Sequence, residues 1–281
     1  MEKFLTDLHT HSTYSHDAKD SPSKMLEAAQ KMGIAFYGVS EHFDYDYDTS
    51  LMSEEMYKAT RNGDEGEYFH ALRHLQEDYE GVMNVAVGAE FAYSNDKNVQ
   101  GRYAATYEKY RPDFIINSVH SVGGVDYAYV DYEKDAHLYK DKKQVLGQYF
   151  QLVRESLDVP YPYDIVGHIG YAARYIPFED KLISLEDFGE QIDDILLTII
   201  RKDKIMEVNS SNKTLPNRTI PARNIIERYF ELGGRKVSFG SDAHFTERIA
   251  DKRDEVVAML KKIGFTYITV PFRGEHIKVE I

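Results

Sequence analysis

His9 and His11 stand two residues apart at the end of a short strand-like run, residues 3–8. On an extended chain, residues two apart share a face, so both imidazoles aim at one point. Neutral ring nitrogens about 2 Å from an ion, on rigid backbone, are what a divalent metal takes. An H-x-H pair alone is also what two ordinary half-exposed histidines look like. Its meaning comes from the rest of the chain, where the same residue types recur at the same structural place. The strand ends give His9 and His11, then His42, Glu90, His120, His168, and finally Asp242 with His244. Of seven strand-like segments, six deliver a His, Glu or Asp at that end, and Asn209 finishes the exception.

Each of these residues could be a satisfied polar group at a strand terminus. Eight polar side chains converging without a cation would instead repel or stay unpaired. Oxygen and nitrogen donors without sulfur suit Zn, Mn or Fe(II). Glu90 has a strand end to itself, and a carboxylate is the common side chain that bridges two cations. Close cations could lower the pKa of a shared water and hold a phosphate for in-line attack, so the chemistry indicated is hydrolysis. The remaining histidines (His16, His70, His74, His137, His276) fall in loops or mid-helix and serve as internal controls. His70 and His74 are four apart on a helix, where a surface face is the simpler reading.

The elements that must position these groups alternate. Strand-like runs 34–40, 82–91, 114–119, 163–167, 204–209 and 237–240 are separated by helix-like patterns at 67–79, 100–110, 144–157, 185–200, 221–232 and 248–263. This is the mark of βα units around a parallel sheet. In the first helix, Asp20-Ser21-Pro22-Ser23 is the start, Met25, Leu26, Ala29 and Met32 form the apolar face, and Gly33 is the stop. A closing strand is expected at residues 267–270. Loops 43–62 and 121–140 are too long to be connectors only. Without repeat, low-complexity tract or linker, residues 1–281 are expected to form one α/β domain, a barrel whose site lies at the C-terminal ends of its strands.

Composition narrows the function. At 281 residues the length suits one barrel, and 42% hydrophobic with 29% charged residues is ordinary for a globular protein. The absence of cysteine excludes thiolate metal sites and a disulfide framework. No apolar run approaches the roughly 20 residues of a membrane span, and the N-terminus lacks a signal-peptide core, so no membrane partner and a cytoplasmic location are expected. A formal charge of -13 argues against a nucleic-acid partner, since the densest basic run is Lys140-Asp141-Lys142-Lys143 at a helix start. The 22 tyrosines are scattered and read as packing.

Asp7-Leu8-His9-Thr10-His11-Ser12 with Ser15-His16-Asp17, then Ser40-Glu41-His42, Gly88-Ala89-Glu90, Ser118-Val119-His120, Gly167-His168 and Gly240-Ser241-Asp242-Ala243-His244 resemble the PHP (polymerase and histidinol phosphatase) family, and most closely its histidinol-phosphate phosphatase branch. The resemblance implies a distorted (β/α)7 TIM-like barrel with two to three divalent ions (Zn, Mn or Fe). It implies that His9, His11, Glu90 and Asp242 hold one metal, that Glu90, His120 and His168 hold a second, and that Asp17, His42 and His244 hold a third. Asp17 enters only through the resemblance; by sequence it is a loop acid beside His16, and some relatives carry His in its place. The implied reaction is metal-dependent hydrolysis of a small phosphate ester, L-histidinol phosphate, in histidine biosynthesis.

Arg174, six residues after His168, could clamp a phosphate bidentately, or pair at the surface with Glu179 or Asp180. Asp242 or a metal-bound water is the candidate to deliver a proton to the leaving alkoxide. Ser12, Asn209 and Arg218 are further candidates to line the pocket, and the acids of residues 44–48 could face a cationic amino alcohol. The rival readings are a nucleotide phosphatase or phosphodiesterase/exonuclease of the same family, an amidohydrolase, and a non-catalytic metal-binding module. An amidohydrolase usually bridges its metals with a modified Lys at the fourth strand, where this chain has His120. Nothing in the sequence fixes the oligomeric state.

Overall fold

The computed structural model describes residues 5–47, 64–132, 139–211 and 219–281. In chain order its strands are β1 (Leu5–Asp7), β2 (Ile34–Val39), β3 (His42–Phe43), β4 (Asn84–Ala92), β5 (Phe114–Ser118), β6 (Ser121–Val122), β7 (Val125–Asp126), β8 (Ile165–Val166), β9 (Ile205–Asn209), β10 (Val237–Gly240), β11 (Tyr267–Phe272) and β12 (Glu275–Glu280). The helices are α1 (Pro22–Lys31), α2 (Glu65–Asp78), α3 (Lys97–Tyr110), α4 (Lys142–Ser156), α5 (Leu185–Arg201), α6 (Arg223–Glu231) and α7 (Arg253–Ile263).

Seven strands pair in parallel in the order β1-β2-β4-β5-β8-β9-β10, with β3 beside the end of β4. The ring draws shut where Leu8 N–H donates to the Phe239 carbonyl (3.2 Å) and Thr10 bridges Ala243 in parallel. The result is a nearly closed TIM-like barrel of parallel strands with helices outside. The seven strands are those the hydrophobic runs indicate, so their carboxyl ends open onto one face.

Local chemistry sets the helices. In α5 the Ser184 side chain accepts from Glu186 and Asp187 N–H, both acids sit in the first turn, and Phe188, Ile192, Ile195, Leu196 and Ile199 face the barrel. In α1 Ser21 caps, Pro22 opens, and Met25, Leu26 and Ala29 are buried. Met32, expected on that apolar face, is 44% exposed because the helix ends at Lys31 and Met32 becomes its C-cap. Lys142 and Lys143 pair with Asp180 and Asp187 at the surface.

The expected closing strand does not join the barrel. β11 pairs antiparallel with β12 through a two-residue turn whose Arg273 and Gly274 both have positive φ (51° and 82°), the geometry of a tight hairpin. Val270 and Val279 pack with Leu8, Ala86, Phe114, Ile116, Ile165 and Ile205, and Phe36, Phe272 and Ile277 seal the edge. Most of these barrel residues lie near the amino ends of their strands. The hairpin is therefore a plug on the face opposite the histidines. Among the described residues no helix is long and apolar enough to cross a membrane.

Inside the barrel the Phe114 ring lies over Gly88, where a Cβ would come within 2.4 Å of it. Gly88→Ala should lower stability by about 1–3 kcal/mol, read as a lower Tm. Gly101, exposed on α3 with nothing within 4 Å of an added Cβ, should on Gly101→Ala raise stability by about 0.5–1 kcal/mol.

Candidate metal centre

The first and last strands interlock where they leave the sheet. His11 N–H donates to the Ala243 carbonyl (2.8 Å) and Asp242 N–H to the His9 carbonyl (2.8 Å), so the two motifs at opposite ends of the sequence share one backbone ladder. Asp242 takes a left-handed conformation, φ 55°. The turn that carries it is held by Asp7, which accepts from Ser241 N–H and O–H (2.9 and 2.6 Å) and from Ala250 N–H (2.8 Å). Burial pushes the Asp7 carboxyl up to about 6 against those hydrogen bonds.

Glu90, fully buried on β4, is the hub. Its Oε1 lies 3.0 Å from His168 Nε2 and 3.2 Å from His120 Nε2. Its Oε2 lies 2.8 Å from His42 Nδ1, 3.3 Å from His9 Nε2 and 3.8 Å from His11 Nε2. One carboxylate thus turns each oxygen to a different group of imidazoles. Asp242 Oδ1 is 3.2 Å from His11 Nε2 and 3.8 Å from His9 Nε2. Asp17, half exposed, reaches His244 Nε2 at 3.0 Å and His42 Nε2 at 3.7 Å. Three donor atoms come within 4.8 Å of one another in each of four sets: His9–His11–Glu90, His9–His168–Asp242, His42–Glu90–His120 and His11–His42–His244.

The donor set fits a cation. Among the described residues, His9 Nε2 and His11 Nε2 are buried without an aligned hydrogen-bond partner, which is costly unless an ion takes those lone pairs. Burial disfavours the charged imidazole of His9, but Glu207, Glu90 and Asp242 outweigh it and hold its pKa well above the ordinary value. Burial likewise disfavours the Glu90 anion, yet His9, His120 and His42 hold it far below the carboxylate range. His11 goes the other way: burial, then neighbouring His42 and His244, keep it neutral. The arrangement can therefore gather divalent cations beside a buried carboxylate.

The structure brings together all nine residues expected as ligands: His9, His11, Asp17, His42, Glu90, His120, His168, Asp242 and His244. It revises others. His16, treated as a control, is nearly buried, with its ring 5.7 Å from that of His42 and Nδ1 4.0 Å from Asp44. The loop folds back on the centre, which periodicity does not show. His70 and His74 do lie together on α2 at 4.5 Å, and His74 faces Glu77. Ser12 is fully buried and donates to Glu41 instead of facing a pocket. Asn209 lies against Glu207 at 3.4 Å. Arg218 and His137 lie outside the described residues. Arg174 ends a single 3-10 turn (Tyr171–Arg174), its guanidinium 5.7 Å from the Tyr171 ring, which in turn packs on His120 and His168 at 5.0 and 5.2 Å. Among the described residues it makes no ion pair; Asp180 pairs with Lys142.

Sequence reading missed the support beneath the ligands. Glu207 Oε1 accepts from His9 Nδ1 (2.6 Å) and Oε2 from His168 N–H (2.7 Å). This fixes the His9 tautomer and aims its Nε2 at the centre. Ser118 donates to Glu90 Oε1 at 2.6 Å. The available signal was a Glu inside the apolar run Ile205-Met206-Glu207-Val208, since a charge there must be paired. Room for it depends on Gly240, where a Cβ would meet Glu207 Oε1 at 2.3 Å and His9 Cβ at 2.6 Å.

Comparison with known proteins adds ancestry. Residues 7–211 match the PHP domain. A probable histidinol-phosphatase of Clostridium acetobutylicum is 26% identical over 248 residues, 86% of this chain and 88% of that one. The histidinol-phosphatase of Lactococcus lactis is 25% identical over 259 residues, covering 92% and 91%. The solved structure of a histidinol phosphate phosphatase from Lactococcus lactis, complexed with zinc, L-histidinol and phosphate, superposes with TM-score 0.83 at 23% identity, covering 98% of this chain and 99% of that one.

Glu207→Gln should keep the fold but weaken metal retention about 10–100-fold, because the amide nitrogen that replaces one oxygen cannot accept. Metal content after dialysis against chelators of graded strength, with circular dichroism as the folding control, measures it.

Proposed function

The chain belongs to the PHP domain family, and we propose that it is a metal-dependent phosphomonoesterase that hydrolyses L-histidinol phosphate to L-histidinol and phosphate. The observation that carries the reading is Glu90, whose two oxygens face separate imidazole groups, as a carboxylate shared between two cations requires. The substrate rests on the relatives bearing the histidinol-phosphatase name, which align over most of this chain. Two to three ions of Zn, Mn or Fe match a nitrogen and oxygen donor set without sulfur. When bound, such ions supply an ionised water at neutral pH and positive charge opposite the phosphate oxygens.

The chain's own residues have distinct tasks. Arg174, anchored on Tyr171 beside His120 and His168, points a fixed charge at the phosphate and holds it bidentately. Burial works against the Asp242 anion, but His9, His11 and His244 keep it ionised, so it can only accept a proton at first. It would take the single proton that the water gives up on ionising and return that proton to the departing alkoxide of the amino alcohol. Glu207 and Ser118 keep His9 and Glu90 from swinging. The proposed setting is the cytoplasm, in histidine biosynthesis. An acidic chain of formal charge -13 is poorly suited to a nucleic-acid substrate.

On side-by-side assay, kcat/KM for histidinol phosphate should exceed that for p-nitrophenyl phosphate by roughly 100-fold or more, about 2.7 kcal/mol of discrimination. Equal turnover of the two, or faster release from nucleotides and oligonucleotides, would discard the substrate. Glu90→Gln should lose about 1000-fold or more in activity together with bound metal. Arg174→Ala should lose about 10–100-fold in kcat/KM with metal content unchanged.

A further inference from the structure

Beneath His11 lies a second support that reaches its imidazole through a hydroxyl. Ser12 N–H donates to both oxygens of Glu41 at 3.0 Å, and the hydroxyls of Ser12 and Ser15 donate to Oε1 and Oε2, each at 2.5 Å. Ser15 is pinned from behind by its own N–H, which donates to the Ser12 carbonyl at 2.8 Å. Its oxygen also receives His42 N–H at 3.0 Å and lies 3.3 Å from His11 Nδ1. Ser12, Ser15, Glu41 and His11 are buried beside the centre, Ser15 at 2% and Glu41 at 2% exposure, and His42 is partly buried.

A serine hydroxyl has one proton and two lone pairs. The Ser15 proton is committed to Glu41 and one lone pair to His42 N–H, so toward His11 the oxygen can only accept. With an ion on Nε2, the one ring hydrogen of His11 sits on Nδ1, where the Ser15 oxygen can accept it, and Nε2 lies beside Asp242 Oδ1 (3.2 Å) and Glu90 Oε2 (3.8 Å). The His11 ring stacks on His42 with centroids 4.1 Å apart and lies 4.3 Å from His244. One hydroxyl thus ties the ring of His11 and the backbone of His42, two members of the His11–His42–His244 set.

We infer that Ser15, with its proton given to Glu41, is a positioning residue that holds the His11 ring from behind at Nδ1 and so keeps Nε2 turned to the ion site. The inference rests on the metal-centre reading above. It separates two supports: Glu207 grips His9 directly, whereas Glu41 grips His11 through Ser15. Loss of the hydroxyl should then weaken one ion and spare those held by the Glu90–His120–His168 side.

Long-range nitrogen–proton correlation spectra of zinc-loaded protein at pH 8.5 read the tautomer, and elemental analysis after graded chelation reads the ions. Wild type should show His11 as Nδ1–H. Ser15→Ala should show a mixed or Nε2–H ring and hold its weakest zinc about 10–100-fold less tightly, with the other zinc retained, and Ser15→Thr should restore both. A wild-type His11 protonated on Nε2 overturns the proposal, and this reading holds even if Ser15→Ala does not fold. So does a folded Ser15→Ala with unchanged tautomer and zinc. A wild type that binds no zinc overturns the metal-centre reading and this proposal with it, whereas zinc held unchanged by a folded Ser15→Ala overturns the proposal alone.

Discussion

A carboxylate with no exposed surface, ringed by five imidazoles, is the constraint the rest of this molecule answers to. Stripping water from Glu90 costs several kcal/mol, and nothing apolar could offset that loss. His9, His11, His42, His120 and His168 must therefore arrive from four different strand ends, His9 and His11 from one, to within 2.8–3.8 Å of its two oxygens. A parallel barrel brings that many strand ends to one point, because all its strands finish on the same face. The interlocked backbones of residues 9–11 and 242–243 then close the ring at the site itself.

The two ends of the barrel are divided by polarity. Toward the amino ends, Ala86, Phe114, Ile165 and Ile205, with Leu8 and Ile116, pack with the C-terminal hairpin, and the lining is aliphatic and aromatic. At the carboxyl ends, Glu207, Glu41, Ser118 and Asp7 form a layer whose acceptors are nearly all occupied by ligand rings or ligand backbones. The glycines belong to this division. Gly88 admits the Phe114 ring on the dry side, and Gly240 admits Glu207 against His9 on the wet side. A methyl at either place would push one layer into the other.

What was legible in the sequence followed from periodicity. The seven strands and the ligands at their ends were visible because each strand is an apolar run that stops on a polar residue of metal-binding type. The supports were not visible, because Glu207 and Glu41 act on residues 198 and 26 or more positions away and no local pattern encodes such a pairing. His16 was misjudged for the same reason: its loop is placed by Ser15 and by the backbone of Ser12, not by a strand. The last strand forms where it was expected, at Tyr267–Phe272, but its partner was not legible. Its alternation is sound, but the positive-φ turn at Arg273 and Gly274 sends it back on itself before it can reach β1.

The acidity of the chain takes on meaning at this site. Among the described residues the ion pairs of Glu90, Glu207 and Asp242 are all with histidine, none with lysine or arginine. Histidine is the one cationic partner that can surrender its charge near neutral pH. Burial opposes a charged ring on His9 and on His120, yet the surrounding carboxylates hold both well above the ordinary value. Without ions the centre balances its carboxylates with ring protons. An arriving divalent cation takes the place of those protons, so binding and proton release are one event. A lysine at the same position would keep its charge and repel the cation. On the proposed metal-dependent reading, the same imidazoles would serve the folded chain in both states, first as counter-charges to the carboxylates and then as ligands, and residues of fixed charge could not do both.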